Sequence, residues 1–163
     1  MSESNNEKLP ILNLTYEGIM EAFNSYVAEE RPVLESPDEV AKTMLPLVTD
    51  CEQEEFWALC LDAKHHLITA ERVTRGLADR SQIHAREVFR DAIRRNATRM
   101  ILVHPHPSGD PTPSRQDITC TKNLVKAGEI IGIDVLDHIV IGKRTPSRDK
   151  PWVSFREEHL LSS

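Results

Sequence analysis

The sequence predicts an α/β domain in which a mixed β-sheet carries helices on both faces. Near-continuous apolar runs at Glu55–Asp62, Met100–Val103 and Val135–Ile141 read as buried strands. Between them lie segments whose apolar residues recur every three to four positions, the period of an amphipathic helix. Strands interleaved with helices are the mark of α/β architecture. A hairpin early in the chain adds an antiparallel pair, so the sheet is mixed. This pattern leaves the strand order open.

Residues 1–12 read as a loose leader, poor in core-forming pattern apart from Leu9, Ile11 and Leu12. From Tyr16 to about Ala28, the positions Ile19, Met20, Phe23 and Val27 predict an amphipathic helix. Ser36-Pro37-Asp38-Glu39 is a helix start, with Ser as cap, Pro at the first position and Glu at the third. Val40, Met44, Leu45 and Val48 give that helix a stripe for packing on a sheet. Glu55–Asp62 is the first strand, Ala63-Lys64 a turn, and His65–Thr74 the second strand of the hairpin. Ser81-Gln-Ile-His84 leads into a helix through Arg95, with Val88, Phe89, Ala92 and Ile93 as its buried face and Asn96 as its end. A helix from Ser114 to Ile131 stops at Gly132, and Trp152–Phe155 is read as a last edge strand. The reading divides the chain into a leader with one helix, residues 1–35, and one domain, 36–163.

At 163 residues, the chain suits a single domain burying roughly two-thirds of its unfolded surface. A net charge of −6 argues against a strong phosphate-binding surface. No apolar run approaches the roughly 18 residues that span a bilayer, and the polar, acidic N-terminus is unlike a signal peptide. Cys51, Cys60 and Cys120 lack C-x-x-C spacing and read as reduced thiols, with Cys60 in a strand core. Together these predict a cytoplasmic protein.

The stretch Met100–Asp117 holds the chemistry. His104 and His106 end the apolar run two residues apart, so in a strand both imidazoles face the same way. Pro107, Gly109, Pro111 and Pro113 then break the strand into a loop. Ser114 opens a helix and Asp117 falls in its first turn. Two imidazoles and a carboxylate suit zinc with a fourth position left for water, the arrangement of a catalytic site. Ser114-x-x-Asp117 also spells a capping box. The two roles are compatible, because a capping serine accepts an amide proton and keeps its own to donate.

His104-x-His106, a seven-residue gap and Ser114-x-x-Asp117 resemble the JAMM motif of the JAB/MPN superfamily. The surrounding His-Pro-Ser-Gly-Asp-Pro-x-Pro-Ser and Leu136-Asp-His-Ile-Val-Ile-Gly142 resemble its RadC-like branch, over about Ser36 to Leu161. The resemblance implies a curved central sheet flanked by helices, in the cytidine-deaminase-like manner. It also implies a Zn2+-dependent metallohydrolase acting on a peptide or isopeptide bond of a peptide or protein substrate. His104, His106 and Asp117 would hold the metal, and Ser114 would assist the oxyanion. An upstream glutamate would serve as general base: Glu54 by its place before Phe56, with Glu55 the fallback. Pro105 departs from the branch, where Asn is usual, and removes a backbone donor. Asp137 and His138 point to opposite faces of their strand, and one of them can stand behind a ligand imidazole.

Other readings are weaker. Nucleobase deaminases need H-x-E and P-C-x-x-C, and neither occurs. A non-catalytic interaction module on this scaffold is the alternative; the full ligand set favours metal binding over it without proving turnover. An accessory role in DNA repair by direct nucleic-acid binding is disfavoured by the acidic chain and by only some 35 residues before the Ser36 helix, with no G-x-G hairpin. The oligomeric state is left open.

Overall fold

The computed structural model describes residues 15–48, 51–76 and 83–161. The leader at 1–12 and the Ser81-Gln82 helix entry lie outside the described residues. The elements run α1 (Tyr16–Glu30), α2 (Pro37–Val48), β1 (Glu55–Leu61), β2 (Leu67–Arg75), α3 (Ala85–Val88), α4 (Arg90–Arg94), β3 (Arg99–Pro105), α5 (Arg115–Ile131), β4 (Asp134–Ile141) and β5 (Trp152–Ser154). The five strands form one sheet in the order β2-β1-β3-β4-β5. Only β3 and β4 are parallel; the pairs β1–β2, β1–β3 and β4–β5 are antiparallel. The β3–α5–β4 segment is therefore a crossover unit, the connection that a parallel pair requires.

Strand alternation sends side chains to two cores. Trp57, Leu59, Ile101, Val103, Ile139 and Ile141 face one way, onto Phe23 and Val27 of α1 and Val40, Met44 and Val48 of α2. Phe56, Ala58, Cys60, Met100 and Leu102 face the other way, onto Val88, Phe89, Ala92, Cys120 and Leu124. The sheet is thus covered on both sides, as an α/β sheet with buried strands must be. No helix among the described residues is long and apolar enough to cross a membrane.

Local signals set the boundaries. Ser36 and Glu39 form the expected reciprocal box at α2: the Glu39 amide donates to Ser36 Oγ at 3.3 Å, and the Ser36 amide to Glu39 Oε2 at 2.9 Å. At the far end of α5, Gly132 adopts φ +82°, and its amide returns to the Gly128 carbonyl at 2.8 Å. Two segments differ from expectation. The hairpin loop is longer than Ala63-Lys64, because Asp62 Oδ1 accepts the amides of Lys64 at 2.8 Å and His66 at 3.0 Å. That Asx-type turn delays β2 to Leu67. The single helix read through Arg95 breaks at Phe89, whose φ −90° and ψ −7° separate α3 from α4. Phe89 is fully buried, and the break turns α4 so that Ala92 faces in while Ile93, expected inside, is 57 % exposed.

Candidate metal centre

His104 lies in the last turn of the β3 pleat on the α5 side, wholly buried, stacked near Phe56 with ring centroids 6.2 Å apart. His106 follows on the same side, half-buried, its Nδ1 donating to the Asp110 carbonyl at 2.6 Å. That bond leaves His106 Nε2 as the lone-pair nitrogen. Asp117, 2 % exposed in the first turn of α5, brings its carboxylate to the same point. His104 Nε2 to Asp117 Oδ1 is 3.3 Å and His106 Nε2 to Asp117 Oδ2 is 3.5 Å. The two Nε2 atoms are 2.8 Å apart. Ligands around tetrahedral zinc stand roughly 3.3 Å from one another, as bonds of about 2.0–2.1 Å require. The carboxylate distances match that edge, and the distance between the two nitrogens falls short of it. All three donor atoms lie within 4.8 Å of one another, so the residues fit a metal ion.

The electrostatics suit a cation as well. Burial alone would raise the Asp117 carboxyl, but the imidazoles of His104 and His106 against it and the Ser114 amide hold it far below the usual carboxylate range. For His106, burial works downward, yet Asp117, the Asp110 carbonyl and the charge of Glu54 together raise it. The Asp117 carboxylate is thus kept ionised between the two imidazoles.

The loop between strand and helix is tied down at several points. Gly109 takes φ +85°, its carbonyl accepts the Lys143 amide at 2.8 Å and Arg148 Nη1 at 3.0 Å. Gly142, ending β4, has no room for a side chain: a Cβ there would collide with the Gly109 carbonyl and meet Pro111 Cδ at 2.7 Å.

Ser114 caps α5 as read, accepting the Asp117 amide at 3.1 Å while Asp117 Oδ2 accepts the Ser114 amide at 2.8 Å. Its hydroxyl proton, expected to be available, instead points to Asp117 Oδ2 at 2.7 Å. Ser114 therefore steadies the carboxylate in this state.

Glu54 and Glu55 separate cleanly. Glu54, just before β1, continues the alternation of Phe56 onto the His104 side. Extending the Trp57–Val103 register by three residues sets it opposite His106, whose imidazole feels its charge. Glu55 turns to the other side, where Arg72 Nη1 at 2.9 Å and Trp57 Nε1 at 2.9 Å hold it. It is a structural anion, away from the cluster.

His138 and Asp137 likewise divide. His138, buried on β4, puts Nε2 2.8 Å from His104 Nδ1 and Nδ1 2.6 Å from Thr121 Oγ1; Thr121 in turn donates to the Asp117 carbonyl at 2.7 Å. Asp137 binds Ser154 Oγ at 2.5 Å and the Arg156 amide at 2.9 Å, closing β5 onto β4. Burial raises its carboxyl in spite of these bonds. Thr121 escaped the sequence reading. Its signal was there: four residues after Asp117, it shares that residue's helix face. The amide that Pro105 lacks falls on the β1 side, since the adjacent His106 amide points to the Ile141 carbonyl of β4. There the β1–β3 ladder has already ended at Trp57–Val103.

A His/His/Asp cluster at the tip of a central strand, closed by the first turn of the crossover helix, defines an α/β domain with a candidate metal centre. Residues 34–160 match the model of the RadC-like JAB domain, and the chain belongs to that family. A UPF0758 protein of Desulforamulus reducens is 51% identical over 134 residues, 82% of this chain and 56% of the relative. One from Desulforudis audaxviator is 48% identical over 133 residues, with 82% and 55% covered. One from Methanosarcina barkeri is 42% identical over 139 residues, with 85% and 58% covered. The chain thus spans little more than half the length of these relatives.

Proposed function

We propose that this chain is a zinc-dependent metallohydrolase that cleaves a peptide or isopeptide bond. The observation that carries the reading is the convergence of His104 Nε2, His106 Nε2 and the Asp117 carboxylate, with Glu54 on the same side. A bound zinc ion would supply a Lewis acid and acidify a water to near neutrality. Around it, Glu54 would take up the water's proton and return it to the leaving amine, the work of a general base. Ser114 would turn its hydroxyl from Asp117 Oδ2 toward the developing oxyanion once the carboxylate is neutralised. A cleft of about 360 Å3 opens beside His106, walled by Leu45, Val48, Pro105 and Ile141 with Lys143 and Arg144 at hand. The apolar walls suit a peptide side chain, and the net charge of −6 disfavours a polyanionic backbone.

Metal content of the purified chain tests this reading, with His106→Ala beside it. About one zinc per chain, lost in the variant, is the expected result. Glu54→Gln should retain zinc while hydrolysis of a peptide panel falls by about 10²–10⁴-fold. Full turnover in Glu54→Gln would remove Glu54 as base. Zinc binding with no hydrolysis by the wild type would favour an interaction module instead.

A further inference from the structure

We infer that His138 is a positioning residue for the metal centre: with Thr121 it fixes the tautomer of His104 so that Nε2 is bare. The inference rests on the reading of His104 as a ligand. The polarity of the chain of bonds follows from its far end. The Asp117 carbonyl can only accept, so the single proton of the Thr121 hydroxyl lies on that 2.7 Å bond. Thr121 Oγ1 must then accept from its second neighbour, and His138 Nδ1, 2.6 Å away, carries the proton. A neutral imidazole has one N–H, so His138 Nε2 is an acceptor. The 2.8 Å contact with His104 Nδ1 is thus donated by His104. His104 is left with its lone pair on Nε2, the atom that faces His106 and Asp117.

The bonds form a chain that starts on Asp117 and ends facing it. It leaves the Asp117 carbonyl, passes through Thr121 and His138 and ends on His104, whose bare Nε2 stands 3.3 Å from Asp117 Oδ1, a spacing that a shared cation would bridge. Rotating the His104 ring, or moving its proton to Nε2, breaks the bond to His138. Phe155 stacks on His138 with centroids 4.6 Å apart, and Phe56 meets it edge-on at 5.5 Å, so the imidazole cannot tilt away. Partners behind ligand histidines commonly set which nitrogen binds metal.

Nitrogen-15 NMR of the imidazoles in the metal-free chain reads the tautomer directly, and competition against a chromophoric chelator reads affinity for zinc alone. Wild type should show His104 protonated on Nδ1. His138→Phe should lose that signature and bind zinc about 10–100-fold more weakly. His138→Gln should restore both, because its carboxamide accepts from His104 and donates to Thr121. Thr121→Val should weaken zinc binding in the same direction. A wild-type His104 protonated on Nε2 would overturn the inference, as would His138→Phe and His138→Gln binding zinc alike. Should His138→Phe fail to fold, Thr121→Val binding zinc as wild type does would overturn it. A wild type that binds no zinc would instead sink the metal reading, and the NMR tautomer would still decide the relay.

Discussion

Adjacent glutamates with opposite duties make the residue scale informative. Glu55 sits 6 % exposed with Arg72, Arg75 and the Trp57 indole around it. Removing it as Glu55→Ala strands Arg72 against the sheet, and urea unfolding should show a loss of about 2–3 kcal/mol with zinc affinity unchanged. Glu54→Gln should keep both stability and zinc and lower only hydrolysis, and equal stability losses in the two variants would contradict the division. Cys60 gives a second test. Burial pushes its thiol up to about 12, so iodoacetamide should leave it unmodified until the chain unfolds; labelling of Cys60 in the native protein would contradict its placement. The clustering of His104, His106 and Asp117 was legible because strand parity and helix-cap spacing act over a few residues. His138 was only half legible. Its contact with His104 depends on β3 and β4 pairing in the register Leu102–His138, which no local pattern states.

At the scale of elements, the sequence named nearly every strand and helix, and it failed where backbone irregularity decides. The slip between Met100 and Ile101 in the β3–β4 register sets Asp137 and His138 on their faces, and an alternation count alone cannot locate it. The α3–α4 break has the same origin, since packing of Phe89 overrides a continuous helical period. Two substitutions probe element ends. Gly142→Ala should push the Gly109–Pro111 loop away, loosening the Asp110 carbonyl that orients His106. A lower melting temperature with weaker zinc binding is expected; unchanged zinc affinity would mean that the loop does not hold His106. Ser36→Ala should cost about 1 kcal/mol. Glu39 in the same box is held below the usual carboxylate range, first by the Glu35 amide. A depressed carboxyl stabilises the fold above its unfolded value and loses that contribution as pH falls through the folded one. The Ser36→Ala deficit should therefore shrink in acid as Glu39 protonates, and a deficit independent of pH would refute the coupling.

Over the whole molecule, two apolar layers clamp the sheet, and the candidate centre lies where the β3 tip leaves them. Zinc at about 100 times its dissociation constant should stabilise the fold by about 2.7 kcal/mol, seen as a rise in melting temperature that His106→Ala abolishes. No such rise in the wild type would speak against a site formed only in the folded chain.

The β3–α5–β4 crossover has one more consequence. His104, His106, Asp117, Thr121 and His138 all belong to it, whereas Glu54 comes from the start of β1. On the proposed function, capture of an ion and use of it are thus written into separate stretches of chain. An inheritable change at the β1 end can silence the chemistry and leave a sound ion-binding protein. The converse loss, inside the crossover, takes both at once. A lineage built on this plan can shed catalysis in one step and keep the centre for another use.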